Sequence, residues 1–191
     1  MSTNSAIDPP SLSGRRFSLV PLIPTHHLQL YNMSVVDTLG FRWRFRGNVP
    51  PFPIFEQSLH ANVFLQLALV PNEDPTRLAG LLVAYNANMQ DQTAYIGVIS
   101  DRQLGIGTIE GTALFLRYLF VLWPFRKLYF EVPEYNVTQF ASAVDTGLLK
   151  EEGRLRSDHY YHGKYWDLII FTIYGDDLEQ FAAQNSNLLP E

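Results

Sequence analysis

Short apolar runs separated by turn-forming residues dominate the middle of the chain. The segments VFLQLALV (63–70), RLAGLLVAYNA (77–87) and TAYIGVIS (93–100) are separated by the polar stretches PNEDPT and NMQDQ. Runs of this length, rich in Val, Ile, Leu and Tyr, are typical of strands with at least one buried side. Because the connections are short, the three segments are predicted to form an antiparallel meander.

A longer apolar stretch follows, and its length favours a helix. This helix is predicted from Gly107 to Trp123 and is ended by Pro124, before a strand at KLYFEV (127–132). A strand, a helix and a strand in this order form a right-handed parallel crossover. A further helix is predicted over 136–146, and the segment EEGRLRSDHYYHGKYWDLIIFTIYG predicts a final hairpin that turns at its central HG.

The N-terminal third of the chain is less regular. FSLVPL (17–22) predicts a strand, and Thr25 is a candidate N-cap for a helix from His26 to about Leu39. The apolar face of this helix would carry Leu28, Tyr31 and Val35. FRWRFRGNVPPFPIF (41–55) alternates aromatic and arginine residues before several prolines, and fits either a loop at a binding surface or an exposed basic strand.

Length and composition favour one globular domain. The chain has 191 residues, of which 47% are hydrophobic and 17% charged, enough to bury one sizeable core. We expect a flexible N-terminal lead-in over 1–15, a single domain over 16–180 and a flexible C-terminal tail over 181–191.

Charge and residue usage exclude several classes of function. A net charge of -5 gives no electrostatic reason to bind nucleic acid, although it leaves room for local basic clusters. No apolar run is long enough for a membrane span. The chain has no cysteine, which excludes disulfides and thiolate metal sites. Because the first residues lack the pattern of a signal peptide, we expect a cytoplasmic protein without nucleic-acid or membrane partners.

Two glycines lie just before the predicted long helix, in the stretch SDRQLGIGT (100–108). Small residues allow close approach to the backbone, and free N–H groups at a helix start attract an anion such as phosphate. A P-loop is excluded because no lysine follows Gly107, and a dinucleotide fingerprint is a poor fit because Glu110 stands where the third glycine belongs. The glycines alone fit a tight strand-to-helix turn equally well.

The same stretch also matches a family pattern, Arg/Gln-x-x-Gly-x-Gly/Ala, through Arg102, Gly105 and Gly107. Downstream, FEVPEYN and GLLKEEG agree in order and spacing with motifs of that family. From about residue 16 to 174 the chain resembles the GNAT N-acetyltransferase superfamily, in the branch of ribosomal-protein N-terminal acetyltransferases. The resemblance implies an α+β fold with α/β/α layers, in which helices flank a mixed, mostly antiparallel sheet splayed open between TAYIGVIS and KLYFEV.

The resemblance further implies acetyl-CoA as the acyl donor, with its pantetheine arm in the gap of the sheet. Main-chain atoms of Val98, Ile99 and Ser100 would pair with the arm, and Asn136 would contact it from the other side. The pyrophosphate would lie against a loop formed by Arg102, Gln103, Leu104, Gly105, Ile106, Gly107 and Thr108.

A primary amine is the acceptor that the resemblance implies, and Trp43, Arg44, Phe52 and Phe55 would shape its pocket. Arginine there suits an acceptor that carries carboxylate or phosphate. The resemblance also implies a homodimer through the final strands. No metal is expected, because the sequence shows no histidine pattern that specifies zinc.

Direct attack of an amine on a thioester needs a proton acceptor for the amine and a proton donor for the thiolate. Here the chain departs from the family, since Ala94, Gln139 and Ala143 occupy the positions of the usual glutamate, serine and tyrosine. The substitutes that we consider are Glu131, acting through water, and Tyr160 or His159 near the final hairpin. Two hypotheses follow: an N-acetyltransferase, or an acyl-CoA-binding sensor or partner protein with weak or no turnover.

Overall fold

Seven strands and five α-helices form the described part of the protein. The computed structural model describes residues 10–36, 45–101 and 106–185, with only the backbone at residues 36 and 106. The strands are β1 (Phe17–Pro21), β2 (Val63–Pro71), β3 (Gly80–Asn88), β4 (Thr93–Ser100), β5 (Lys127–Pro133), β6 (Lys150–Tyr161) and β7 (Lys164–Tyr174). The α-helices are α1 (Pro24–Tyr31), α2 (Phe52–Ser58), α3 (Ile106–Leu122), α4 (Ala141–Asp145) and α5 (Gly175–Gln184). A π-helical turn (Asn32–Val36) follows α1, and a 3-10 helix (Glu134–Phe140) precedes α4.

All seven strands belong to one sheet, in the order β1-β2-β3-β4-β5-β7-β6. Every neighbouring pair is antiparallel except β4 and β5, which are parallel and joined through α3. The predicted meander of β2, β3 and β4 is confirmed, and so is the parallel pairing of the strands on either side of the long helix.

The parallel pair separates soon after it begins. β4 and β5 are paired only from Thr93 to Tyr95 and from Lys127 to Tyr129. Beyond these residues β4 continues to Ser100 along β3, whereas β5 continues to Pro133 along β7. The sheet is therefore splayed at the place that the sequence predicts.

Two hydrophobic cores lie on opposite faces of the sheet, because side chains alternate along each strand. The core on the α3 side includes Phe115 and Leu119, with Leu178 of α5 packed into it. On the other face the core includes Leu30 of α1 and Phe55 of α2. Helices therefore flank both faces, and the α/β/α layers are confirmed.

The first helix differs from its prediction in start and in buried face. It begins at Pro24, so Thr25 lies inside the helix and does not cap it. Proline is well suited to this first position because the N–H that it lacks would have had no helical partner. The buried side chains are His26, His27 and Leu30, whereas Leu28 is 57% exposed. Most of the predicted end, from 37 to 40, lies outside the described residues.

Three other boundaries also differ from the sequence predictions. The segment predicted as one helix over 136–146 is a 3-10 helix followed by α4. In the predicted lead-in, residues 12–14 fold back along β1, where the Leu12 carbonyl accepts a 2.7 Å hydrogen bond from the Leu19 N–H. The predicted tail from 181 overlaps α5, which extends to Gln184 and anchors itself through the buried Leu178.

The final hairpin turns at His162 and Gly163, as predicted. Their φ angles are 52° and 79°, and two consecutive positive values are what a tight two-residue hairpin turn requires. None of the helices in the described ranges is long and apolar enough to cross a membrane.

Candidate active site at the splayed strands

A cavity of about 1100 Å³ occupies the gap between the splayed strands. Its walls include residues 96–101 on β4 and just after it, and residues 130–133 of β5. Thr108 and Thr112 of α3 line it from one face of the sheet, and Ser34 and Gln66 line it near the other helical layer. Residues from both faces of the sheet therefore line the cavity.

The β4 edge of this cavity carries three of the predicted donor-binding residues, Val98, Ile99 and Ser100. In the described chain no strand pairs with these residues on the β5 side. Their unpaired edge can therefore accept an extended ligand in the manner of an added strand.

The structure also brings Thr108 and Asn136 to this cavity. Ile106 is the first residue of α3, but its side chain lies outside the described part. Residues Arg102, Gln103, Leu104 and Gly105, predicted to surround a pyrophosphate, also lie outside the described ranges.

Gly107 is required by packing inside the protein. A Cβ atom at this position would lie only 2.4 Å from Cε2 of the Phe17 ring, which packs from β1. Gly111 is similar, since a Cβ there would lie 2.5 Å from Leu69 Cδ1. Packing against Phe17 is thus enough to explain the glycine at position 107, without a bound phosphate. This result fits the alternative in which the glycines serve a tight strand-to-helix turn.

Asn136 carries an unsatisfied polar atom at the cavity wall. The residue is 6% exposed, and its buried side-chain oxygen Oδ1 has no hydrogen-bond partner among the described residues. A buried amide oxygen without a partner is costly, so the site is suited to a ligand that donates an N–H or O–H group.

Glu131 lies on β5 at the wall of the same cavity, as a catalytic candidate must. Its Oε2 accepts a 3.1 Å hydrogen bond from the hydroxyl of Tyr85, a residue that sequence reasoning did not single out. Tyr95 lies on β4, the strand between those of Tyr85 and Glu131. Burial raises the pKa of the Tyr95 phenol, and the negative charge of Glu131 raises this pKa further. Tyr95 is therefore a neutral phenol at physiological pH.

Tyr160 is a poor candidate for the proton donor. Its side chain is 66% exposed and contacts the ring of Tyr165, away from the residues that line the cavity. His159 does line the cavity, because neighbouring residues on a strand point to opposite faces. Its Nδ1 lies 2.7 Å from Asp158 Oδ2, although the angle of this contact does not make it a hydrogen bond.

The positions that depart from the family pattern hold no titratable group in the structure. Ala94 is fully buried in the core on the α3 side. Gln139 and Ala143 both line the cavity. These three positions therefore offer no proton acceptor or donor to the cavity.

The predicted acceptor residues are only partly described. Trp43 and Arg44 lie outside the described ranges, and Phe52 is half-buried at the start of α2. Phe55 is fully buried, with its ring centroid 5.1 Å from that of Tyr31. The structure therefore places Phe55 in the core, because α2 folds where the sequence suggested a loop.

An ion pair between a buried lysine and an exposed glutamate lies at the paired end of β5. The Lys127 ammonium donates a hydrogen bond to Glu152 and lies 4.8 Å from the ring centre of Tyr129. Burial by itself lowers the pKa of Lys127, but its bond to Glu152 outweighs this effect and the net change is upward. The same bond lowers the pKa of Glu152. Both groups are thus charged at neutral pH, and the pair links β5 to β6 across β7.

No cluster of three or more histidine, aspartate or glutamate side chains that could hold a metal ion occurs in the ranges that the structure describes. The expectation of a metal-free site stays a prediction.

Neither the protein-family models nor the curated protein sequences match this chain. Solved structures do resemble it. A probable GNAT-family acetyltransferase from Chromobacterium violaceum superposes with a TM-score of 0.71 at 20% identity, over 90% of this chain and 94% of its own. A GCN5-related N-acetyltransferase from Brucella melitensis gives 0.72 at 20% identity, over 96% and 88%.

A third structure has bound ligands. Spermidine N-acetyltransferase from Vibrio cholerae, in complex with CoA and spermine, superposes with a TM-score of 0.68 at 16% identity, over 85% of this chain and 98% of its own. Likenesses at such identities show the fold alone. Together with the splayed seven-stranded sheet, they show that this chain has the GNAT acyltransferase fold.

Proposed function

We propose that the protein is an acetyl-CoA-dependent N-acetyltransferase that acts on a primary amine. The observation that carries the proposal is the cavity in the splayed sheet, which is lined by residues from both faces. A donor and an acceptor that enter from opposite faces would meet there, and holding two reactants together supplies much of the rate enhancement in such reactions.

Donor binding is supported by three features of the cavity. The unpaired edge of β4 at Val98–Ser100 suits the amides of a pantetheine arm. The orphaned Oδ1 of Asn136 suits one of the donors on that arm. The start of α3, with Thr108 beside the cavity, offers N–H groups to a phosphate.

The chemistry is direct transfer from a thioester, which acetyl-CoA supplies in activated form. The amine nitrogen forms a bond to the acetyl carbon while the carbon–sulfur bond breaks. The proton lost by the amine goes to Glu131 through a water molecule, and the leaving thiolate takes up a proton from solvent. Because Glu131 accepts only one described hydrogen bond, through Oε2, its Oε1 is available for this step.

A second candidate function, binding of acyl-CoA without turnover, is supported by a different observation. Ala94 is fully buried where related enzymes carry glutamate, and Gln139 and Ala143 bring no acid or base to the cavity. An acyl-CoA-binding sensor or partner protein would need the donor site but not these groups. The ribosomal-protein branch, the homodimer and the cytoplasmic location all stay predictions.

Release of CoA separates the two functions. Purified protein is incubated with acetyl-CoA and, in turn, spermine, glucosamine and an N-terminally free tripeptide, and free thiol is measured together with the mass of each amine. An enzyme releases CoA and adds one acetyl group to at least one amine. Binding of acetyl-CoA in calorimetry without release in any mixture would favour the sensor.

A further inference from the structure

A hydrogen bond connects two strands that are not neighbours in the sheet. Tyr85 is on β3 and Glu131 is on β5, and β4 lies between them. Nevertheless the Tyr85 hydroxyl reaches Glu131 Oε2 at 3.1 Å. The contact crosses β4 next to Tyr95 and Tyr129, the last residues that pair β4 with β5 before the strands separate.

The local sequence makes this crossing possible. Tyr85 is paired with Tyr95, which is paired in turn with Tyr129, and the three rings pack side by side with centroids 5.7 and 5.2 Å apart. The next residue of β4 on the same face is Gly97, which has no side chain to fill the gap. A Cβ there would lie 2.9 Å from Val83 Cγ1 and 3.8 Å from Tyr85 Cε1.

From this geometry we infer that Tyr85 is a positioning residue that holds Glu131 at the cavity for proton removal from the acceptor amine. The inference rests on the proposed function. Both side chains line the cavity, and the bond from Tyr85 occupies Oε2. The other carboxylate oxygen, Oε1, is left to accept the amine proton through water.

An exposed glutamate without such a bond would sample several rotamers, and most of them would aim its carboxylate away from the thioester. Hydrogen bonds to a charged carboxylate are stronger than bonds between neutral groups. Tyr85 is therefore expected to act on the chemical step and not on donor binding, because the donor is held by β4 and Asn136.

The test compares two conservative variants of the full chain. Tyr85→Phe keeps the ring stack but removes the hydroxyl that contacts Glu131. Tyr95→Phe is the matched control, because its hydroxyl has no hydrogen bond among the described residues and its side chain does not line the cavity. With the best amine of the panel above, Tyr85→Phe should lower kcat about tenfold, leave the KM for acetyl-CoA unchanged, and retain the melting temperature of Tyr95→Phe.

Glu131→Gln completes the experiment. This variant should lose about a hundredfold in kcat, as expected for removal of a general base, and adding Tyr85→Phe to it should cost nothing further. Equal kcat values for Tyr85→Phe and Tyr95→Phe would overturn the role of Tyr85. So would losses from Tyr85→Phe and Glu131→Gln that multiply in the double variant. Neither result would affect the proposed acetyltransferase function. A wild-type protein that acetylates no amine would instead overturn the proposed enzymatic function, and the role of Tyr85 with it.

Discussion

Asn136 is the residue at which burial and the absence of a partner most clearly point to a ligand. The folded protein keeps a polar oxygen out of water without a described hydrogen bond, at the wall of the cavity in the splayed sheet. Gly107 shows the opposite case, because contact with Phe17 already explains why it has no side chain. A glycine in a motif can thus be explained by packing inside the protein, whereas no packing contact explains the unsatisfied buried oxygen of Asn136.

Replacing Asn136 should separate binding from stability. Asn136→Ala removes one hydrogen bond to the donor, worth about 1 kcal/mol, so the Kd for acetyl-CoA should rise roughly fivefold. The melting temperature without ligand should change little, because no described protein bond to Oδ1 is lost. Calorimetric titration measures the first quantity, and Gln139→Ala, at another residue of the cavity wall, is the control. An unchanged Kd in Asn136→Ala would contradict this assignment.

At the scale of elements, strands were predicted better than helices. The bounds of β4 agree with the apolar run at 93–100, because turn residues bracket it closely. In α1 the buried face carries two histidines, so the prediction from the positions of apolar residues assigned the wrong face of the helix to the core. The bond between Tyr85 and Glu131 could not be predicted, because it depends on strand register and on the gap at Gly97.

Burial of His26 in α1 predicts sensitivity to mild acid. Burial lowers the pKa of His26 from its ordinary value of 6.5, the nearby Pro75 carbonyl partly opposes this, and His27 adds to the lowering. The unfolded chain therefore binds a proton below pH 6.5 more readily than the folded protein does. Stability is lost as pH falls, by about 1 kcal/mol between pH 7 and pH 5.5 if the folded form stays neutral.

Urea unfolding at both pH values measures this loss. In His26→Leu the difference in free energy of unfolding between pH 7 and pH 5.5 should shrink by most of that amount. His27 keeps its 2.8 Å contact with Glu56 in both proteins, so the comparison isolates His26. The same pH dependence in the variant and the wild type would contradict the assignment.

At the scale of the whole molecule, the cavity exists because two neighbouring strands are paired over only part of their length. Pairing of β4 with β5 stops at Tyr95, while each strand continues along its other neighbour, so the sheet opens without losing its cores. The sequence predicted this opening through a resemblance in motif order, and the strand pairing confirms it.

Binding of acetyl-CoA in this opening can be followed residue by residue, by measuring amide hydrogen exchange with and without acetyl-CoA. Saturating acetyl-CoA should slow exchange at Val98–Ser100 and in the first turn of α3, where free N–H groups meet the donor. Exchange in the distant strands β1 and β6 should stay the same. Binding without protection at Val98–Ser100 and α3, or protection confined to other strands, would contradict the account.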